Sequence, residues 1–453
     1  MFYIVEQEDK LQNLEKLIKL GVFVDVISSN DYYHPKLTST VAVYIRLIDS
    51  HHGYIIPINH DEGINVDKNR VYKLLSSASK LYTLDKKNLL YHFNLQDAID
   101  ISLLYSMTNY ERLEYSRELP TTNYFYNKFT DFKNINQLIP LPKLYESSEK
   151  VYNKIQDVIK LSLPSGFDFY NKIATNVFYL LEQSGLGVYY EEYKDLFKPR
   201  NPLYNTVDNK VLTSYNLYNA TSRPTNAFNS VNFAAIPKSP QHRKCFHPTN
   251  NYFVEFDFDG YHLRLLSEQI NYKLTPDSAH KQLAKHYFGT EDITEEQYLD
   301  AKQINFQAIY GKIPEEHKEL DIFKGIQNYI DNMWSNFNSD GYVENPQSGK
   351  HFTKQLKEMH PAKLMNYMMQ SLETSNNILI LKEVLRYLQG KKTKVVLYTY
   401  DALLFDYSKE DGKETLEKLQ EILETGKKYP VKFKFSKACL LSGASSNIPF
   451  TNK

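Results

Sequence analysis

Residues 252–260 read Tyr-Phe-Val-Glu-Phe-Asp-Phe-Asp-Gly. Side chains alternate faces along a β-strand, so Val254, Phe256 and Phe258 share one face and Glu255, Asp257 and Asp259 the other. A helical pattern with Leu263, Leu265 and Leu266 begins near Tyr261. The chain must therefore bury one side of this strand while grouping carboxylates on the other. Such a platform suits a hard divalent cation. An acidic turn that caps the following helix is the plainer explanation of the same residues.

Two further segments carry chemistry. Lys394–Tyr400 and Ala402–Phe405 read as two apolar strands with Asp401 at the bend. An ionised carboxylate in apolar surroundings is costly unless compensated. A metal ion would compensate it; an Asx turn is the ordinary alternative. Thr294-Glu-Glu-Gln297 matches a capping box and opens a helix through Tyr298 to Tyr310, stopped at Gly311. Tyr298, Lys302, Phe306 and Tyr310 are four apart and share one face. A lysine followed by aromatics offers a cation for phosphates and flat surfaces for a base. An amphipathic helix with a snorkelling lysine has the same pattern.

Composition narrows the class. At 453 residues, 42% hydrophobic and 24% charged, the chain reads as globular, with room for several units. The 37 tyrosines and 25 phenylalanines suit base stacking but also fill cores. Net charge is zero, so any phosphate-tracking surface must be local. His242-Arg243-Lys244 and the Lys350, Lys354, Lys357, Lys363 cluster are the candidates. Two cysteines, Cys245 and Cys439, make neither a disulfide framework nor a zinc site. The first residues lack a signal-peptide pattern and no apolar run spans a membrane, so a reducing cytoplasm and no membrane partner are expected.

Residues 1–130 read as a small α/β unit. Strands are predicted at 22–27, 40–48 and 53–58, and helices at 68–81 and 97–105. Pro140, Pro142 and Pro164 mark 131–165 as a connector. A helix is predicted over 168–184, and 187–213 has little periodicity.

The order acid strand, lysine helix, acid hairpin resembles motifs A, B and C of family A (bacterial polymerase I-like) DNA polymerases. Asp257-Phe-Asp-Gly-Tyr-His-Leu-Arg264 is similar to D-Y-S-Q-I-E-L-R. Tyr298-Leu-Asp-Ala-Lys302-Gln-Ile-Asn-Phe306-Gln-Ala-Ile-Tyr310-Gly311 is similar to R-x-A-A-K-x-I-N-F-G-x-x-Y-G, and Tyr400-Asp401-Ala402 to H-D-E. Thr221-Ser-Arg223, Asn232 to Pro237, His280, Gly341-Tyr-Val-Glu344, and Asn366 with Gln370 resemble lesser signatures in the right order. The likeness covers about residues 170–440.

The resemblance implies an α/β (α+β) fold with a right-hand polymerase palm and fingers, and an N-terminal ribonuclease H-like, exonuclease-type domain. The implied division is 1–130 exonuclease-like, 131–213 connector and shortened thumb, and 214–453 palm with fingers inserted at about 276–350. Only about 35 residues separate Gly185 from Thr221, which implies the short thumb and poor processivity. The implied activity is template-directed addition of deoxynucleotides to a primer 3′ end, with two Mg²⁺ about 4 Å apart. Asp257, Asp401 and the Phe258 carbonyl would hold the metals. Lys302 and His280 would hold the triphosphate, and Phe306, Tyr310 and His262 would meet the nucleotide. Arg223, Asn232, Arg243 and Gln370 would grip primer-template DNA. Partners are then primer-template DNA, dNTPs and a processivity factor or other replisome protein. The trimmed layout suggests a phage or viral source, with the host cytoplasm as the setting.

Departures qualify this. His262 replaces the glutamate that blocks a ribose 2′-OH, Tyr298 replaces an arginine that touches triphosphate, and Ala402 replaces the motif C glutamate. In the N-terminal unit Asp25 fits an exonuclease acid, and Asp97 or Asp100 fits a later one. Ile27 stands where the second acid belongs, so an inactive remnant is expected. The competing readings are an inactive DNA-binding replisome subunit and a lesion-bypass or repair polymerase.

Overall fold

The computed structural model describes residues 2–115, 134–197, 205–226, 231–237, 239–310 and 312–437. Gly311 and Cys439 therefore lie outside the described residues. The chain divides into two compact units: residues 1–179, 198–219 and 226–230 form the first, and 180–197, 220–225 and 231–453 the second.

The first unit is built on a six-stranded sheet. Its strands are β1 (Phe2–Ile4), β2 (Val22–Ser28), β3 (Thr40–Leu47), β4 (Gly53–Pro57), β5 (Leu81–Thr83) and β6 (Ala98–Asp100), in the order β1-β4-β3-β2-β5-β6. β2 to β4 are antiparallel neighbours and are buried along their whole length, because helices cover the sheet. These helices are α1 (Glu8–Leu17), α2 (Lys68–Ser76), α3 (Lys86–Phe93), α4 (Ile101–Asn109) and α5 (Leu141–Ile159). The helix expected over 68–81 stops at Ser76, where Ser77 caps it, and Leu81 starts β5. The helix expected over 97–105 begins later, because 98–100 extends β5 as a parallel neighbour.

The stretch read as a connector is the larger surprise. Residues 141–159 form α5, a 19-residue helix whose Leu144, Val151 and Ile155 are buried. Pro140 and Pro142 open it, since a proline is tolerated where the first N–H groups lack intrahelical partners. Residues 190–196, expected to lack periodicity, form a short helix.

The second unit holds a four-stranded antiparallel sheet of β7 (Tyr252–Phe258), β10 (Lys394–Tyr398), β11 (Ala402–Tyr407) and β12 (Val431–Ser436), ordered β10-β11-β7-β12. Around it run α6 (Tyr261–Gln269), α7 (Ala279–Phe288), α8 (Glu295–Ile309), α9 (Asp321–Ser339), the small hairpin β8 (Tyr342–Glu344) and β9 (His351–Thr353), α10 (Pro361–Tyr387) and α11 (Lys413–Glu424). The expected alternation holds: Val254, Phe256 and Phe258 are buried, and Phe256 meets Phe405 edge-on at 5.6 Å. Burying such a ring contributes roughly 2–3 kcal/mol, which holds β7 beside β11.

Candidate active site

β7 and β11 place the two acids. Asp257 is in register with Ala402, and the Phe258 N–H donates to the Asp401 carbonyl at 3.0 Å. The backbone spacing of Asp257 and Asp401 is thus fixed by sheet hydrogen bonding. Tyr400, just before Asp401, has φ +68°. A non-glycine residue in the left-handed region costs roughly 1–2 kcal/mol and needs outside support. Asn377 of α10 supplies it, donating to the Tyr400 carbonyl at 2.7 Å and the Tyr398 hydroxyl at 3.1 Å. Asn377 also accepts from the Tyr261 hydroxyl at 2.7 Å, and Asn376 donates to that hydroxyl at 2.8 Å.

Gly260 turns the chain from β7 into α6 with φ +61°. A side chain there would be strained and would bring its Cβ to 3.1 Å of the Ala279 Cβ. That approach lets Asp259 reach the start of α7, where the Ala279 N–H donates to it at 3.1 Å. Asp259 is buried and also pairs with Lys432 at 2.6 Å and Arg264 at 3.5 Å. Burial pushes its carboxyl up, but the Lys432 hydrogen bond and charge prevail and hold it below its ordinary value.

These elements wall a cavity of about 440 Å³ lined by Asp257, Phe258, Asp259, His262, His280, Tyr298, Lys302, Phe306, Tyr310, Arg223, Glu373, Asp401 and Lys432 among others. Asp257 titrates at about 6, raised by desolvation and then by the charge of Asp401. Asp401 is raised by desolvation and then by Glu373. Asp257 is half-buried and Asp401 stands at an open turn, and since the charge of Asp401 raises Asp257, a cation between them would stabilise both. The donor set fits: Asp259 is committed to Lys432 and Arg264, and Glu373 to Arg223 at 2.9 Å and His262 at 3.3 Å. That leaves Asp257 and Asp401, and one or two carboxylates plus substrate phosphates are what Mg²⁺ ordinarily takes. Among the described residues no group of three or more His, Cys, Asp or Glu side chains could hold a metal ion.

α8 forms the opposite wall. The capping box is present: Thr294 accepts from the Gln297 N–H and Gln297 from the Thr294 N–H. The helix ends at Ile309, with Tyr310 as its cap. Lys302, Phe306 and Tyr310 all face the cavity, and Phe306 is 61% exposed. Tyr310 lies at hydrogen-bond distance, 3.4 Å, from His262 Nδ1. His280 Nδ1 is 3.0 Å from the Asn305 amide, and burial lowers the imidazole to about 4, so it is neutral at neutral pH.

The expected DNA contacts are dispersed. Arg223 enters the cavity and lies 3.7 Å over the Tyr400 ring. Gln370 accepts from Thr221 and donates to Asn366 at 3.0 Å. Asn232 is exposed before a 3₁₀ turn, and Arg243 turns back to the Ile236 and Pro237 carbonyls; neither lines the cavity. Lys350 is not available to track phosphates. It is buried, bonds to Ser222 Oγ at 2.5 Å, and burial lowers its ammonium to about 7.

Sequence reasoning missed Glu373 and Lys432. Glu373 falls seven residues after Asn366 and three after Gln370, so helical spacing puts it on their face. Lys432 and Lys434 alternate with Phe433 and Phe435, the signal of a second half-polar strand.

The comparisons agree with this geometry. No curated protein matches the chain. Among solved structures, the POL domain of Pol1 from M. smegmatis, in complex with DNA primer-template and dNTP, matches with a TM-score of 0.68 at 12% identity, covering 97% of this chain and 99% of that one. That likeness establishes the α/β polymerase fold. The model of DNA polymerase family A matches residues 188–439, more than half of the chain, and includes every residue of the cavity. The chain therefore belongs to DNA polymerase family A and is a template-directed DNA polymerase.

Proposed function

We propose that the cavity between β7, β11 and α8 is the polymerisation site, with Asp257 and Asp401 as its metal carboxylates. The observation that carries this is the hydrogen-bonded register of the strands that bear the two acids, opposite a helix that presents Lys302. Asp257, Asp401 and the Phe258 carbonyl would hold Mg²⁺, which when bound lowers the pKa of a primer 3′-OH and neutralises charge on the phosphates. Lys302 binds the triphosphate, and neutral His280 offers a hydrogen bond to it. Phe306 and Tyr310 meet the incoming base and the template, and His262 stands at the sugar. Arg223 and Gln370 hold the primer end, and Asn232 and Arg243 contact the duplex farther out. Closing of α8 over a matched pair would exclude water and select the correct nucleotide.

Primer extension tests this reading. Asp257→Ala or Asp401→Ala should abolish extension while primer-template affinity stays near wild type. Normal extension by either variant would refute the assignment.

We further read the first unit as an exonuclease-type domain without its chemistry. Asp25 is buried and accepts from Ser148 at 2.8 Å. Asp100 caps α4 and accepts from the Lys86 N–H, the Leu103 N–H and the Tyr218 hydroxyl. Both acids are engaged in holding the fold, which supports an inactive remnant. A shortened thumb in 131–213 and reliance on a processivity partner remain part of this reading, as does a cytoplasmic, phage or viral setting. Among the described residues no helix is long and apolar enough to cross a membrane.

A further inference from the structure

Lys432 stands on β12 in register with Asp257, and its side chain is 60% exposed. Its ammonium lies 2.6 Å from Asp259 Oδ1. Asp259 has other partners besides it. The other oxygen, Oδ2, accepts from the Ala279 N–H at 3.1 Å and faces the buried Arg264 at 3.5 Å. The buried Arg264 would stay beside the carboxylate if Lys432 left, so Lys432 is a tethered but movable cation at the cavity wall. Lys302, His280 and Tyr298 line the same cavity. Tyr298 opens the lysine-bearing face of α8 with a phenol, which cannot neutralise a phosphate, and the neutral imidazole of His280 cannot either. Mg²⁺ held by Asp257 and Asp401 would take part of a nucleoside triphosphate's charge, and Lys302 and Lys432 line the cavity to meet the rest.

We propose that Lys432 is a polyphosphate-binding residue of this site: its ammonium leaves Asp259 to take the terminal phosphates of the incoming nucleotide, supplying from the sheet the cation that Tyr298 does not supply from the helix. Lysine suits this role because its four-carbon stem lets a point charge move between acceptors. Asp259 keeps the side chain extended into the cavity when no nucleotide is bound. The inference rests on the polymerisation site proposed above.

The test uses the full chain with Lys432→Met, Lys432→Arg and Asp259→Asn. Three quantities are measured: the KM for dNTP in primer extension, the dissociation constant of inorganic tripolyphosphate by calorimetry without DNA, and the primer-template affinity. Lys432→Met should raise the KM and the tripolyphosphate constant by the same factor, about tenfold, without weakening primer-template binding. Lys432→Arg should recover most of both. Asp259→Asn releases the ammonium and should leave tripolyphosphate binding as tight as wild type or tighter. Unchanged KM and tripolyphosphate binding in Lys432→Met would overturn the proposal. So would an equal loss in Asp259→Asn and Lys432→Met, which marks the pair as structural. Full extension by Asp257→Ala would instead sink the assignment of the site itself, whatever Lys432 does.

Discussion

Asn377→Ala isolates the support of the turn that carries Asp401. Asn377 is buried on α10 and touches neither Asp257 nor Asp401 in the contacts described, yet it bonds to the Tyr400 carbonyl and the Tyr261 hydroxyl. Removing it takes a partner from each. A buried polar group that loses its partner costs roughly 1–3 kcal/mol, so the pair should cost about 2–4 kcal/mol after partial relaxation. Tyr400, at φ +68°, then lacks its anchor and can relax toward the favoured region, shifting Asp401. Two measurements follow. Urea unfolding should show the stability loss, and single-turnover extension at saturating dNTP, at a temperature where the variant is folded, should slow by more than tenfold. Ser375→Ala on the same helix removes a hydroxyl that donates to Gln347 at 2.8 Å, away from the turn, and should cost stability without slowing extension. An Asn377→Ala variant that is destabilised yet extends at the wild-type single-turnover rate would refute the claim that this side chain sets the position of Asp401.

Other outcomes are as specific. Asp25→Asn should leave a labelled 3′ end untouched, as in the unaltered protein; degradation that depends on Asp25 would show a working exonuclease. His34 is fully buried beside the Thr213 carbonyl at 3.1 Å, and burial, then Lys87, lowers it to about 3. The unfolded chain binds that proton near pH 6.5 and the folded chain does not, so stability falls as pH drops through this window. The slope is about 1.4 kcal/mol per pH unit for one proton. It should be smaller by that amount in His34→Gln; an unaltered slope between pH 6 and 4 would exclude His34 as the source.

Much of the second unit was legible because its elements obey simple periods. The strand at 252–258, the hairpin around Asp401 and the capped helix at 295–309 follow from alternation, turn chemistry and the capping box. α5 was obscured by prolines, which read as breakers until their place in the first turn is known. Glu373 and Lys432 escaped for another reason. Each has a local signal, helical spacing for one and strand alternation for the other, but joins the cavity through residues far away in the chain, Arg223 and His262 for one and Asp259 for the other.

One hydrogen bond has a wider consequence. Because the Phe258 amide is tied to the carbonyl of Asp401, the backbone beneath the two acids forms a gauge whose width does not open without breaking the sheet. Any adjustment to different nucleotides or mismatches must then come from the parts that approach this gauge, and tolerance of error would be tuned on α8 and at Glu373 rather than in the strands.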